Sequence, residues 1–539
     1  MKPFLLFFPP VLALTLFFSC TAAAPRITSI HPRIGKMGAV LAIRGAGFGG
    51  AREESWVTIA GNSPTAASYL AWTDELIMVR VPEIGEAGLV YVHRDGKKSN
   101  PTLFSNEEAI PVPFAGETYD PGPRISAVEP RAGAVGSLVT ITGHNFGAAQ
   151  EGGGVFFTWG AASPAPSEVA APVWVGVREE DFGYESWSDR EIRVRVPGGA
   201  VSGNIEVRTV RGAARPGYFE VTGRPGSQVW RDKRSYAIAW SVDIRVAEAV
   251  LPNTLYLWLP RPADSAVQRR GELISLSAAP FIENYRGVSL FKFDDITSGE
   301  AFTLAAAQLV EVYAVENSLR PQDIRGASPG QLESVYTKSD PLVPSDAAEI
   351  KALAASIIGR EQNPYHRARL VYEWMLRELS FSAEAREGDA VESLSSKMAD
   401  AWQAAFLFCA LARSAGVPAL PVSGVLVDRA RETAPHFWAE FWVRGFGWIP
   451  VDAALGGGAA PADFTLPDNH AAFYFGNMDN QHIAFSHGII SLSRMDRRGR
   501  VAARERDYSL QTIREEAAGG LESYSSLWSG ITVTGVYVQ

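Results

Sequence analysis

His436 and Asp452 stand sixteen residues apart in the run HFWAEFWVRGFGWIPVD, with Trp438, Glu440 and Trp448 between them. An imidazole backed by a carboxylate is a general base of fixed tautomer: the acid holds one ring nitrogen as N–H, and the other is left to take a proton from a thiol or hydroxyl. The chemistry such a pair serves is attack on an acyl group, and it needs a nucleophile. A thiol at a helix N-terminus suits the task, because the helix dipole favours the thiolate. The chain holds two cysteines, Cys20 and Cys409.

Residues 399–419 read ADAWQAAFLFCALARSAGVPA. Together with the run above they resemble the transglutaminase-like superfamily, whose papain-like domains are α+β. In that family a Gly-x-Cys opens a helix, an aliphatic run leads to Ala-Leu-x-Arg and a Gly-Val-Pro exit, and a His-x-Trp-x-Glu strand and a Gly-Trp-x-x-x-Asp strand follow. Ala410, Leu411, Ala412, Arg413, Gly416, Val417 and Pro418 match the exit, and counting back puts Gly-x-Cys on Ala399, Asp400 and Ala401. The spacing of 35 residues from Ala401 to His436 fits the family. The resemblance covers residues 340–500 and implies that His436 and Asp452 are the remnant of a catalytic triad. Its nucleophile position is Ala401, a methyl group.

No neighbour replaces the lost thiol. Cys409 lies eight residues further along the same helix, roughly 12 Å up the axis and about 80° around it. Between Phe408 and Ala410 it reads as a small buried hydrophobe. Ser395 and Ser396 need a slip of register, and Asp400 points about 100° away from Ala401 on an ideal helix. Loss of the nucleophile from a hydrolase triad costs on the order of 10⁶ in turnover. Two readings of the surviving residues stay open. His436 and Asp452 are a hydrogen-bonded pair with Trp438 and Trp448 as core, or they belong to a cleft that kept its recognition surface. That surface would be formed by Trp402, Trp438, Glu440 and Trp448 and would take a protein, peptide or cell-wall glycan. An unfamiliar non-cysteine enzyme around His436 and Asp452 is the alternative.

The chain's 539 residues suit three to five domains, and 46% hydrophobic with 20% charged residues is a globular composition. Net charge is −9 without a basic run, which argues against a nucleic-acid partner. The start, MKPFLLFFPPVLALTLFFSC, reads as an export signal over residues 1–20. Phe17-Phe18-Ser19-Cys20 resembles a bacterial lipobox with Phe17 in place of the usual Leu, which implies a membrane-anchored lipoprotein lipidated at Cys20. Cleavage near Ala22 and release to the periplasm or medium is the other outcome.

PRITSIHPRIGKMGAVLAIRGAGFG, from Pro25, returns 98 residues later as PRISAVEPRAGAVGSLVTITGHNFG. Trp72 and Trp187 open a second matching stretch at an offset of 115, so the later copy carries 17 extra residues, expected in a loop around Gly152–Glu185. The repeats resemble IPT/TIG immunoglobulin-like β-sandwiches, over residues 25–113 and 122–222, a fold that serves as spacer or binding module. Alternating strands over residues 228–340 predict a third β-sandwich as scaffold. In the core domain, residues 341–500, Ser345 is a candidate N-cap. Ile350, Leu353, Ala354, Ile357 and Ile358 form an apolar stripe before Gly359, and Asn363-Pro364 opens a second helix. Residues 501–539 remain as a C-terminal extension ending in a strand. His482 and His487 have a spacing that matches no usual metal set, so no metal and no cofactor are expected. The expectation is a multidomain, exported, non-catalytic binding protein.

Overall fold

Alternating apolar residues build most of this chain's regular structure, as strands whose buried and exposed positions follow the period of two. The computed structural model describes residues 24–85, 87–109, 122–150, 153–160, 174–324, 330–504 and 506–538. Residues 1–20, expected to be an export signal, and with them Cys20, lie outside the described residues. Among the described residues no helix is long and apolar enough to cross a membrane.

The first repeat is a sandwich of two mainly antiparallel sheets around Leu41, Ile43, Phe48, Val57, Val79 and Val90. The second repeats its strand order, down to a bulge after Ile27 in one copy and after Ile125 in the other. The residues shared between the two copies have shared jobs. A Cβ on Gly45 would lie 2.0 Å from the Arg26 carbonyl oxygen, and one on Gly143 equally close to that of Arg124, so only glycine lets these strands close up. Trp72 and Trp187 donate their indole N–H to the carbonyls of Phe48 and Phe146 at 3.0 and 3.1 Å. Part of the extra length in the second copy forms the strand Trp174–Gly176, which pairs with Phe156–Thr158; residues 161–173 lie outside the description. By contacts the first sandwich, within residues 1–116, is a compact unit of its own, and residues 117–539 form the other.

The third β segment is one eight-stranded sheet organised on the 35-residue strand Gly226–Pro260. Its inner face, including Ile238, Trp240, Val242 and Leu257, packs on Val425, Val427, Ile483 and Phe485 of the core domain's own sheet, which supplies the second layer. Residues 501–539 are not a separate extension. Glu515–Trp528 and Thr532–Val538 both pair with the long strand, so the chain's end completes the sheet that residue 226 begins.

The core domain packs helices on a four-stranded sheet. The helix Ala348–Ile358 begins three residues after the expected cap, with Ala347 at its N-cap, and stops at Gly359 as expected. Asn363 caps Pro364–Glu378 by accepting from the Tyr365 and His366 amides. The helix Ala401–Ser414 is buried along nearly its whole length. It ends in paired Schellman bonds, Val417 N–H to Ala412 and Gly416 N–H to Arg413, which explains the glycine in the Gly-Val-Pro exit.

Candidate functional site

The core sheet runs in the order Gly447–Val451, Thr433–Val443, Ala419–Val427, His482–His487. Alternation along its second strand sends Phe437, Ala439, Phe441 and Val443 into the cluster around the helix Ala401–Ser414. Trp438 instead packs with Leu420, Val422 and Tyr474. His436 pairs with Gly424, which faces Ala484 on its other edge. A Cβ on Gly424 would lie 1.9 Å from the Ile483 carbonyl oxygen. Glycine therefore lets the outer strand close in, and the ring of His482 comes within 5.6 Å of that of His436.

Asp452 follows the edge strand and caps the short helix Ala453–Gly456, its Oδ1 accepting from the Leu455 amide at 2.9 Å. That leaves Oδ2 to two imidazoles: His436 Nε2 at 2.6 Å and His482 Nε2 at 3.2 Å. His482 Nδ1 reaches Asp479 Oδ1 at 2.9 Å, and Asp479 also accepts from the Gln481 amide and the Tyr474 hydroxyl, both at 2.8 Å. His436, Asp452 and His482 are all buried. Burial by itself would raise the carboxyl of Asp452 and lower the imidazole of His482, but opposite charges reverse both. His436, then His482, holds Asp452 well below the usual carboxylate range, and Asp479 leads in raising His482 to about 9. At neutral pH His482 is thus an imidazolium clamped between two carboxylates. The Nδ1 of His436 has no hydrogen-bond partner among the described residues.

Ala401 opens its helix and packs against the cluster that holds Phe437 and Ala453, the chain neighbours of His436 and Asp452. Asp400 is spent on holding the helix start. It accepts from the Gln403 amide at 2.7 Å and from the Arg386 amide at 2.7 Å, and pairs with Arg506 at 3.2 Å. Ser395 and Ser396 donate to the backbone carbonyls of Glu392 and Met398. Cys409 is free and fully buried, and burial pushes its thiol up to about 12. Folded protein should therefore resist iodoacetamide at pH 8, with Cys409 alkylated at the rate of a free thiol only after unfolding in guanidinium; mass spectrometry of intact protein reads both.

Trp402 does not share a surface with Trp438. It stacks on Phe406 at 4.4 Å, under the guanidinium of Arg506 at 4.4 Å, and serves to pack the helix start. Trp438, Glu440 and Trp448 do come together, lining a cavity of about 60 Å³ with His487, Arg178 and Asp181. His487 Nδ1 bonds Glu440 Oε2 at 3.1 Å, while its Nε2 is buried without a partner among the described residues. His482 and His487 consequently hold different carboxylates and do not form a pair.

Arg178 and Asp181, which the sequence reading missed, come from the second sandwich. Asp181 accepts from the Trp448 indole at 2.9 Å, and the Glu180 carbonyl accepts from the Tyr336 hydroxyl at 2.9 Å. The one signal for them was the surplus length of the second repeat, whose loop lands on the Trp448 strand. A second cavity of about 330 Å³ shares Arg178, Asp181, Pro197 and Gly198 as walls with the first.

Comparison with known proteins agrees with this architecture. The transglutaminase-like superfamily core matches residues 351–453, and the IPT/TIG domain matches residues 25–105 and 123–220. An uncharacterized protein of Haemophilus influenzae is 26% identical over 205 residues, 32% of this chain and 54% of the relative, so the chain spans about half the length of that relative. Among solved structures, a candidate cysteine protease from Cytophaga hutchinsonii is 14% identical, covering 58% of this chain and 92% of its own at a TM-score of 0.36. The periplasmic domain of TgpA from Pseudomonas aeruginosa is 12% identical, covering 40% and 87%, with a TM-score of 0.23. Two IPT/TIG domains followed by a transglutaminase-like core domain are therefore what this chain carries.

Proposed function

We propose that this is an exported, membrane-tethered envelope protein whose transglutaminase-like domain holds a protein, peptide or wall-glycan ligand without turning it over. What supports the reading is an alanine at the expected nucleophile position beside a retained cavity. Position 401 is alanine and the thiol of Cys409 is sealed in the core, yet the cavity beside Trp438, Glu440 and Trp448 keeps unspent hydrogen-bonding capacity. His487 Nε2 has no partner, and the Arg178 side chain makes only ion pairs, at 3.7 and 3.8 Å, among the described residues. A cavity this small suits a side chain or chain end, with the rest of the ligand in the larger groove next to it.

Capture from detergent-solubilised envelope extract by immobilised protein tests this. Trp438→Ala and Glu440→Gln should each weaken capture, by about 30-fold for the tryptophan if it is a hot spot, while Trp402→Phe should leave it intact. Capture unchanged by either of the first two, with folding verified by near-ultraviolet circular dichroism, would remove the idea. One observation favours a non-cysteine enzyme instead: the unpartnered Nδ1 of His436, backed by Asp452. Turnover in a peptidase, amine-incorporation or glycan-hydrolysis screen that vanishes in His436→Ala would establish that reading.

A further inference from the structure

We propose that His436, Asp452 and His482 form a binding site for a divalent transition metal, with zinc as the best match. The proposal stands apart from the ligand reading above. Donor atoms of these three buried residues lie within 4.8 Å of one another. Two imidazole nitrogens and one carboxylate oxygen are a borderline-soft set that suits Zn²⁺ rather than Ca²⁺ or Mg²⁺.

A triad remnant does not account for what surrounds it. An acid that only orients a base needs one imidazole, whereas Asp452 Oδ2 faces two. Its other oxygen is fixed by the Leu455 amide, so a single oxygen is presented to both rings. The second ring, His482, carries a carboxylate on its far nitrogen, and that carboxylate, Asp479, is itself fixed by Tyr474 and the Gln481 amide. A carboxylate–histidine pair of this kind is how proteins orient a metal-binding imidazole.

Metal–ligand distances for zinc are about 2.0–2.2 Å, so its entry requires Asp452 Oδ2 to draw back from His436 by under about 1 Å and the two Nε2 atoms to stand no more than about 4.2 Å apart. His436 then carries its proton on the unpartnered Nδ1, and His482 releases its Nε2 proton to solvent; each ring gives the ion an Nε2 lone pair. The cavity of about 60 Å³ is lined by His482 and by neither of the other two donors, and it has room for a water beside that ring.

The test uses tag-free, full-length mature protein, stripped with chelator, incubated with zinc sulfate, gel-filtered and assayed by elemental mass spectrometry. One equivalent of zinc should be retained. His482→Gln should lose it, and Asp479→Asn, which leaves all three donors in place, should weaken it about 10- to 100-fold. Cobalt(II) loaded into the wild type should show visible d–d bands that are missing from His482→Gln. Absence of retained zinc overturns the proposal, as does zinc or cobalt binding that both variants leave unchanged, since the ion would then sit on other histidines. Should His482→Gln fail to fold, Asp479→Asn decides: affinity equal to wild type overturns the site.

Discussion

Replacing Asp452 with alanine should destabilise the core domain by about 3–5 kcal/mol, the cost of breaking a buried ion pair by removing one partner. The carboxylate is fully buried and takes bonds from His436, His482 and the Leu455 amide, so its loss leaves His482 with Asp479 alone and deprives an imidazole N–H and a helix end of their acceptor. Asp452→Asn should cost less, because an amide oxygen still caps the Leu455 amide, a contribution of about 1 kcal/mol.

The pH dependence has a defined sign. Asp452 is depressed, so its contribution is complete above its ordinary value near 3.8 and is lost on acidification below it. His482 is raised from 6.5 to about 9, so its contribution is complete below 6.5 and is lost as pH climbs through 9. The gap between wild type and Asp452→Ala should accordingly be widest between about pH 4 and 6.5 and should narrow towards pH 9 and above. Denaturant melts across that range measure it. A gap that widens with alkalinity would mean that His482 is neutral in the folded protein.

Much of this was legible in the sequence because it is local. Glycines recurring at an offset of 98 and tryptophans recurring at 115 mark close strand contacts and an indole-to-carbonyl bond, each made within a single repeat, and Gly416 marks a helix stop through bonds to the preceding turn. The motif order placed His436 and Asp452 on adjoining strands, and they do meet. What could not be read was long-range. Nothing in residues 177–183 says that Asp181 will accept from an indole 267 positions away, or that Arg506 will cover Trp402. The same gap led to residues 501–539 being set apart, although strand pairing returns them to residue 234. Trp402 was misplaced for another reason: adjacency to Ala401 in sequence does not fix which way a side chain leaves a helix, and its ring packs back on Phe406.

We propose that position 401, an alanine in this chain, is where the nucleophile of this fold belongs. Ala401→Cys tests it with one atom. At the first turn of a helix and served by the Asp452-backed imidazole, the new thiol should titrate in the range of about 3.5–7.5 instead of near 8.5. At pH 6 that raises its thiolate fraction on the order of 100-fold. The measurement is the pH profile of iodoacetamide alkylation of Ala401→Cys, with and without His436→Ala, followed by intact mass. Labelling of Ala401→Cys should be rapid below pH 7 and abolished by His436→Ala, beside a wild type that takes no label and shows no acyl transfer. An introduced thiol that titrates as an ordinary one, indifferent to His436, would contradict it, and so would a wild type that already forms an acyl-enzyme.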